Sequence, residues 1–531
     1  MNNLQDRLAA LSPEQRNQLI AKLGMGVRAG VVGDAASVVE PVEPETALSP
    51  AQQRMWLFEK IEGNGTAYNI ASVLRVRGAL DVEALEWSIN DIVRRHEILR
   101  TRFVETDGQA RQDVAADLEI HVHRTRFDAQ RAVDPLLLDE AIAQQVAVNF
   151  RLDRGPLLRV SGIDLGGDES IIVAVFHHIV ADGWSLRLLE RELSQAYTNY
   201  RHGARQQAPA AAGQYRDYVR WQRNWLRDGA ARQLEYWTSR LEGAPGCWPM
   251  PCEQPRDATT DLRASSLMIP LPTALCTHIR ALAEREKASA FMVLAAAFKL
   301  VLGYFAGTRD ISIGTPVANR REQRFDPVIG LFSNTVVLRS TIADATFREY
   351  LQQIKAIALG AFSNQDLPFE QVVDALRPER SAAHPPLFQV LFALQSTEGS
   401  DLALPGLQVQ PVHMQRPASE FDLIFEFFLS ETANHAVLTY RAALYAEPTI
   451  QRMQACFLQV VEQAVRDPDT SIAELMASLS ATPAASLHAG EPIDSGAALL
   501  ATHCPLEADD RVLVGRGLPN DMAAAAQEWA A

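Results

Sequence analysis

The run IIVAVF at residues 171–176 constrains the fold more than any other feature of the chain. All six residues are apolar, so a strand here has no polar face and must be covered on both sides. The polar stretch HHIVADGWS (177–185) follows at once, and then the pattern SLRLLERELSQAYTNY, for which Ser185 is the predicted helix N-cap. A buried strand, a polar turn and a helix in direct succession predict an α/β fold.

The same alternation of helices and strands runs through most of the chain. Before the apolar run, SPAQQRMWLFEKI and VEALEWSINDIVRRHEIL predict helices, and SVLRVRG and LLRVSGIDL predict strands. After a predicted boundary near residues 225–260, the pattern indicates one long helix from Pro272 to about Phe305. Strands at 311–313 and 335–338 and helices at 345–362 and 447–466 follow. Two α/β lobes fit this pattern better than a single sheet.

The predicted organisation has five parts. Residues 1–24 form a helical preface that serves as a docking or linker element, and residues 25–45, rich in Gly, Ala, Val, Glu and Pro, form a linker. An N-terminal lobe covers 46–230 and a C-terminal lobe covers 231–478. Residues 479–531 are rich in Ala and Ser near their start and weakly patterned, which predicts a tail of uncertain order.

Charge and cysteine usage exclude several classes of function. The formal net charge is −15, and nucleic-acid and membrane surfaces require a basic footprint, so we predict neither partner. The five cysteines are few, odd in number and without zinc-ligand spacing, so we predict no metal site. The first residues lack the apolar core of a signal peptide and nothing resembles a membrane span, which predicts a cytoplasmic protein.

The polar turn carries the residues with the most obvious chemistry. Adjacent side chains of an extended segment face opposite ways, so His177 and His178 cannot both enter one cavity, and one is structural. A histidine at a strand end can take a proton from an amine or alcohol that attacks an acyl carbon. Gly183 permits close approach of a substrate arm. Asp182 either orients the histidine or pairs with an arginine and braces the turn.

Seven stretches, in order, resemble the core motifs of nonribosomal peptide synthetase condensation domains. The turn is similar to the family's HHxxxDG motif, and RHEILRTRF (95–103) resembles RHExLRTxF. The other five are LSPAQQRMWL (48–57), YRDYVRW (215–221), IGLFSNT (329–335), NQDLPFE (364–370) and PLFQV (386–390). Asn364 departs from the histidine usual in HQDxPFE. The resemblance covers about residues 46–478.

The resemblance implies two lobes, each like chloramphenicol acetyltransferase, that form a V with a central tunnel. Donor and acceptor carrier proteins present their substrates on phosphopantetheine arms, so the domain needs no cofactor of its own. His178 is then the catalytic residue that promotes or positions attack of an acceptor amine, or alternatively an alcohol, on the donor thioester. His177 becomes a buried support. Asp182 forms a salt bridge with an arginine, for which we predict Arg95 first and Arg100 second.

The resemblance also implies roles for further residues. Gly183 lines the tunnel beside the thioester, and Trp184 and Asn334 either support the site and tunnel or shape the loops around them. The positions of Trp56 and Tyr218 fit the core better than the site. No residue is identified by the sequence as an oxyanion donor.

Several related classes are less consistent with the sequence. Epimerisation domains lack the Gly-Trp-Ser continuation, heterocyclisation domains replace the two histidines, and dual epimerisation/condensation domains carry an early His-His motif, whereas residues 1–60 contain no histidine. The opening motifs favour an L-configured or a fatty acyl donor. Three alternatives stay open: a catalytically silent recruitment module, a stand-alone acyltransferase that uses coenzyme A and a free small acceptor, and a domain excised from a longer synthetase.

Overall fold

The computed structural model describes the chain from residue 46 to residue 480, apart from short gaps. The described residues are 46–62, 65–66, 68–127, 135–205, 209–211, 213–250, 252, 256, 261–379, 381, 384–396, 402–412, 416, 418–429 and 434–480. The predicted helical preface (1–24), the predicted linker (25–45) and the predicted tail from residue 481 onward lie outside them.

Helices and strands alternate along the described chain. The helices are α1 (Pro50–Glu62), α2 (Val82–Arg95), α3 (Pro135–Val146), α4 (Gly183–Arg201), α5 (Tyr215–Asp228), α6 (Ala230–Leu241), α7 (Thr273–Arg285), α8 (Ala290–Ala306), α9 (Phe347–Ser363), α10 (Phe369–Leu376), α11 (Glu447–Arg466) and α12 (Ile472–Leu479). The strands are β1 (Asn69–Arg77), β2 (Thr101–Thr106), β3 (Gln109–Val114), β4 (His123–Arg126), β5 (Leu158–Gly166), β6 (Glu169–His177), β7 (Ala264–Pro270), β8 (Asp310–Val317), β9 (Asn334–Thr341), β10 (Val390–Ser396), β11 (Gln408–Pro411), β12 (Leu423–Leu429) and β13 (His435–Arg441).

The apolar run forms the central strand of a five-stranded sheet. The strand order is β11-β1-β6-β5-β4, and β6 pairs antiparallel with both β1 and β5. Ile171, Val173 and Val175 on one face are each about 1% exposed, and Ile172 and Phe176 on the other are 4% and 5% exposed, as expected for a strand covered on both faces. Ala174 is half-buried, and the predicted strand, covered on both faces and leading directly into the polar turn, is confirmed.

A second sheet of six strands is built by the later part of the chain. Its order is β7-β13-β12-β10-β8-β9, with β10 parallel to both β8 and β12 and the other pairs antiparallel. Helix α8 packs against α7, α9, α11 and α12, and its residues from Phe291 to Gly303 are all buried. A helix that is apolar on every side except at one residue, here the buried Lys299, must lie inside a core in this way.

Two hydrophobic cores accompany the two sheets, and later segments cross back to the first. The first core contains residues from Leu48 to Val219, and the second runs from Trp237 to Leu479. Residues 325–332 and the pair Leu402 and Leu404 nevertheless pack on the first core, and β11 pairs with β1 at the edge of the first sheet. The second half of the chain thus supplies part of the first lobe.

Two predicted helices differ in extent from the structure. The single helix predicted from Pro272 to Phe305 is two helices, α7 and α8, bent by 105°. Lys287 adopts a positive φ of 50°, and the Ser289 side chain accepts a hydrogen bond from the Met292 amide and starts α8 afresh. The apolar spacing continues across this break, which is why periodicity alone missed it. Helix α2 ends at Arg95, and a 3-10 turn covers Glu97–Arg100.

The predicted N-cap of α4 was wrong by three residues. Ser185 is not the cap: the cap is Asp182, whose Oδ1 accepts a hydrogen bond from the Ser185 amide at 2.8 Å.

No single described helix is long and apolar enough to cross a membrane. Among the described helices, only the bent pair α7 and α8 passes a length and composition test.

Candidate active site

The turn between β6 and α4 holds His178 by its backbone and by one ring nitrogen. The His178 amide donates to the Tyr68 carbonyl at 2.8 Å, and Nδ1 lies 2.7 Å from the Ala181 carbonyl oxygen. A carbonyl only accepts hydrogen bonds, so Nδ1 carries the proton and the neutral ring has its free lone pair on Nε2. Within the described part of the chain, Nε2 has no hydrogen-bond partner.

The surroundings of His178 favour its neutral form. Burial lowers the pKa of the imidazole below its ordinary value of 6.5, while the charge of Asp182 and the Ala181 carbonyl act in the opposite direction. Burial penalises the cation because the protein interior solvates charge poorly. A half-buried, neutral imidazole with a fixed tautomer can accept a proton at Nε2.

His177 faces away from His178 and is buried, with 1% of its surface exposed. Its Nδ1 accepts the Ile179 amide at 3.1 Å, and its Nε2 lies 3.4 Å from Oε1 of Glu59 on α1. The opposite orientation of the two adjacent histidines agrees with the extended backbone at the end of β6. Both ring nitrogens of His177 are committed to holding the turn.

Asp182 pairs with Arg320, and neither of the predicted arginines is its partner. The carboxylate is 1% exposed, and its Oδ1 lies 3.5 Å from Nη2 of Arg320. The other oxygen, Oδ2, accepts the amides of Phe332 and Ser333 at 2.9 and 3.1 Å. Asp182 therefore caps α4 and ties the turn to the loop 330–333, while Nδ1 of His178 is bonded to a carbonyl and not to this acid.

Arg95 and Arg100 lie elsewhere. Arg95 donates to Asp91 at 3.0 Å on its own helix and lies 3.0 Å from Glu192 of α4. Arg100 donates to the Ala115 carbonyl. Each arginine binds partners close in space to the end of α2. Arg320, in contrast, lies 138 residues from Asp182 and reaches it only through tertiary contact. The prediction of Arg95, with Arg100 second, was wrong.

Arg320 joins the turn to the second half of the chain. Its Nη1 donates to the carbonyls of Phe325 and Val328 at 2.5 and 2.6 Å, and Nη2 donates to Ser185 Oγ at 3.0 Å. The guanidinium lies 3.8 Å from the centroid of the Phe332 ring. Planar, multidentate contacts of this kind suit arginine and no other side chain.

Gly183 borders open space. A Cβ built on this residue would meet no atom within 4 Å, its φ lies outside the left-handed region, and the residue is exposed. Neither crowding by the described residues nor backbone conformation requires glycine here. The open side of Gly183 and the free Nε2 of His178 leave room for a ligand to approach the turn.

Trp184 and Asn334 both engage backbone carbonyls. The Trp184 indole donates to the Asp326 carbonyl at 3.1 Å. Asn334 Nδ2 donates to the carbonyls of Gln365 and Leu367, both at 2.7 Å, and its Oδ1 accepts the Phe369 amide at 3.0 Å. These contacts of Asn334 hold the start of α10 in place, so the geometry favours its loop-shaping alternative.

Two residues were assigned to the core from the sequence, and two residues that support the turn were not identified from it. Tyr218 is 1% exposed and packs in the first core, while Trp56 is half-buried and packs against the same core. Gln52, whose Nε2 donates to the Ile179 carbonyl at 3.2 Å, was not predicted to support the turn, and neither was Glu59. The only signal in the sequence was their presence seven residues apart on one predicted helix. Among the described residues, no group of three or more His, Cys, Asp or Glu side chains could hold a metal ion.

A model of the condensation domain family matches residues 42–486. The chain belongs to this family, as the seven motifs predicted, and it is a condensation domain of the nonribosomal peptide synthetase type. It is 36% identical over 408 residues to malpinin synthetase of Mortierella alpina, a match that covers 76% of this chain and 5% of the synthetase. It is 34% identical over 485 residues to phosphinothricin tripeptide synthetase PhsC of Streptomyces viridochromogenes, covering 90% of this chain and 44% of that protein. The chain thus spans less than half the length of either relative.

Solved structures show the same fold. The X-domain from teicoplanin biosynthesis matches with a TM-score of 0.73 and 26% identity, covering 83% of this chain and 99% of that one. The first condensation domain of the CDA synthetase matches with a TM-score of 0.69 and 19% identity, covering 81% and 98%. These matches confirm the predicted α/β fold with two lobes. The tunnel between the lobes and the lobe boundaries stay predictions.

Proposed function

We propose that the protein catalyses attack of an acceptor amine on an acyl or peptidyl thioester held by a carrier protein, forming an amide bond. The observation that carries this proposal is the hydrogen bond from His178 Nδ1–H to the Ala181 carbonyl at 2.7 Å. It leaves the lone pair of Nε2 without a partner among the described residues, and Gly183 in the same turn borders open space. A neutral imidazole with a free lone pair and a fixed tautomer suits proton transfer during acyl transfer.

The proposed reaction assigns each proton to an atom. The acceptor nitrogen attacks the thioester carbonyl carbon, and Nε2 of His178 accepts a proton from that nitrogen as the C–N bond forms. The C–S bond then breaks, and Nε2 returns the proton to the leaving sulfur, which departs as the carrier's thiol. Because Nδ1 keeps its proton and its carbonyl partner throughout, the ring holds its orientation in both steps. An alcohol acceptor would give an ester by the same sequence.

The partners follow from the substrate chemistry. Peptide synthetases keep their intermediates as thioesters, so we propose a donor and an acceptor carrier protein, each with its substrate on a phosphopantetheine arm. The similarity to phosphinothricin tripeptide synthetase PhsC over 90% of this chain supports this assignment. The domain then needs no cofactor of its own, since His178 is a protein side chain and the thioester supplies the activated acyl group.

Intact-protein mass spectrometry tests the proposal directly. A donor carrier protein loaded with an acyl group is mixed with a panel of carrier-bound and free amines and alcohols. The unsubstituted protein is compared with His178→Ala and with His278→Ala, a matched control at an exposed histidine of α7. We expect acyl transfer from the carrier with the parent and with His278→Ala, and a loss of about 10²- to 10⁴-fold with His178→Ala.

Other outcomes would assign a different function. Equal rates from coenzyme A thioesters would favour a free-standing acyltransferase, and full activity of His178→Ala would remove His178 from the reaction. The acceptors that work distinguish amide from ester formation.

A recruitment module is the second candidate. The protein's fold matches an X-domain that has been solved in complex with OxyB, with a TM-score of 0.72 and 26% identity. His178, Asp182 and Gly183 are nevertheless all in place here, and both carboxylate oxygens of Asp182 accept hydrogen bonds. Absence of transfer from every donor, together with tight binding of a partner protein that His178→Ala leaves unchanged, would establish recruitment instead.

A further inference from the structure

The peptide groups of Ile179, the residue after His178, are held by side chains from both ends. The Ile179 amide donates to His177 Nδ1 at 3.1 Å, and the Ile179 carbonyl accepts Nε2 of Gln52 at 3.2 Å. Ile179 is fully buried, so water cannot replace either partner. The backbone that immediately follows His178 therefore depends on two side chains for its hydrogen bonds.

Both of these contacts lead to helix α1. Gln52 lies on α1, and Glu59, seven residues later on the same helix, places Oε1 3.4 Å from Nε2 of His177. Residues seven apart share a helix face, and Met55 between them is buried at 3% exposure. Gln52 and Glu59 are themselves 0% and 6% exposed. One buried face of α1 thus reaches both the carbonyl and, through His177, the amide of Ile179.

The hydrogen-bond pattern determines the state of each side chain. His177 Nδ1 can accept the Ile179 amide only if it carries no proton, so the proton of the neutral ring is on Nε2, which faces the Glu59 carboxylate. A carboxylate that accepts Nε2–H favours this tautomer. In Gln52, Oε1 accepts the Ser49 amide at 3.1 Å, which directs Nε2 to the Ile179 carbonyl.

The contacts of Gln52 also connect to the loop that binds Asp182. The Tyr215 hydroxyl donates to the Leu331 carbonyl at 2.6 Å and lies 3.0 Å from Ser49 Oγ. Leu331 directly precedes Phe332, whose amide binds Asp182. The start of α1 therefore touches both ends of the turn, at Ile179 directly and at Asp182 through the loop.

We propose that Gln52 and Glu59 are positioning residues that clamp the Ile179 peptide groups and so hold the imidazole of His178 in its working orientation. The clamp keeps the chain from His178 to Ala181 closed, which keeps the Ala181 carbonyl within reach of Nδ1. Loss of the clamp releases Nδ1 and lets the ring populate the other tautomer. This inference rests on the proposed function of His178 for its kinetic consequence, but its structural part does not.

Kinetics and ring spectroscopy of matched variants test the clamp. Gln52→Met keeps the volume of the side chain but removes the donor, and Glu59→Leu removes the acceptor for His177. We expect each to lower kcat for acyl transfer about 10- to 100-fold, because misplacement of a catalytic group costs rate, with KM changed less than about twofold. Glu59→Gln keeps an acceptor oxygen and should retain kcat within about threefold. Gln53→Ala and Lys60→Ala, at exposed positions of the same helix, are the controls.

The ¹⁵N spectrum of the His178 ring gives a readout that needs no activity. In the parent we expect one tautomer, protonated on Nδ1, and in Gln52→Met and Glu59→Leu a mixture with the Nε2–H form. If Glu59→Leu does not fold, Glu59→Asp replaces it. Its carboxylate is withdrawn by about 1.5 Å, roughly one carbon–carbon bond, and we expect the same loss.

Two results separate failure of the clamp from failure of the proposed function. The clamp would be overturned if Gln52→Met and Glu59→Leu both kept the kcat and the His178 spectrum of the parent, even with a lower unfolding temperature. Helix α1 would then have a purely stabilising role. If His178→Ala is fully active, the proposed function fails, and the spectrum of the His178 ring still decides whether Gln52 and Glu59 position it.

Discussion

The turn between β6 and α4 has an anchored side and an open side. On the anchored side, the Asp182 carboxylate has four partners, the amides of Ser185, Phe332 and Ser333 and the guanidinium of Arg320. On the open side, Nε2 of His178 has no partner among the described residues, and a Cβ on Gly183 would meet no atom within 4 Å. The carboxylate on one side of the turn is thus fully hydrogen-bonded, whereas the ring nitrogen on the other side is left without a partner among those residues.

The difference teaches how rigidity and reactivity are divided. A buried charge is tolerated only when hydrogen bonds replace its lost hydration, and Asp182 meets that condition with bonds that also join two halves of the chain. A group that must exchange a proton needs an unoccupied lone pair and space for its substrate. Substitutions on the anchored side should therefore affect stability first, and those on the open side should affect activity alone.

Asp182→Ala should have the largest effect on stability. It leaves the 2% exposed side chain of Arg320 without its counter-charge and removes the N-cap of α4. We expect the free energy of unfolding to fall by about 3–5 kcal/mol, measured by chemical denaturation. Asp113→Ala, which breaks an exposed ion pair with Arg102, is the control and should cost less than about 1 kcal/mol. Equal losses in the two variants would contradict the anchoring role of Asp182.

Gly183→Val should reverse that pattern. The added side chain enters open space, so we expect an unchanged unfolding temperature but a loss of about 10- to 100-fold in kcat/KM, because it occupies the approach to His178. Gly330→Ala is the comparison on the anchored side, where a Cβ would collide with the Tyr215 ring, and it should lower the unfolding temperature. Parent-like activity of Gly183→Val would show that substrate does not pass this residue.

The pH dependence of the open side should follow His178. Burial lowers its pKa, so the ring stays neutral as the pH falls below 6.5. The rate of acyl transfer should therefore stay constant just below pH 6.5. At more acidic values it should fall about tenfold per pH unit. The folded state binds fewer protons than the unfolded state in this window, so the contribution of His178 to the unfolding free energy also declines as the pH falls. NMR titration of the ring gives the midpoint, and a value at or above 6.5 would contradict this.

Lys299 offers a milder test, in a core with no catalytic task. Its ammonium is fully buried and donates to the carbonyls of Ile311 and Leu338 at 2.9 and 2.6 Å. Burial lowers its pKa from 10.5 to about 7, so between these values the unfolded chain binds more protons and the unfolding free energy rises with pH. The unfolding free energy of the parent, relative to that of Lys299→Met, should rise by up to about 1.4 kcal/mol per pH unit from pH 7 to 10. Parallel curves for the two proteins would show that Lys299 stays charged.

Local patterns predicted most elements and the residues of the turn. The apolar run became the central strand β6, and the helices predicted at 345–362 and 447–466 are α9 and α11 within a few residues. Periodicity failed at Lys287–Ser289, where the apolar spacing continues through a break made by one positive φ and a new N-cap. It also could not place β11, since a four-residue strand that crosses to the other sheet has too little pattern of its own.

The sequence by itself determined that His177, His178, Asp182 and Gly183 follow a buried strand, because apolar periodicity and adjacent polar residues are local properties. It also identified the family, through seven motifs in order. Only the tertiary structure decided that Arg320 pairs with Asp182 and that Gln52 and Glu59 reach the Ile179 peptide groups. These partners lie up to 138 residues from the turn. A hydrogen bond depends on distance in space to within a few tenths of an ångström, and separation along the chain carries no such information.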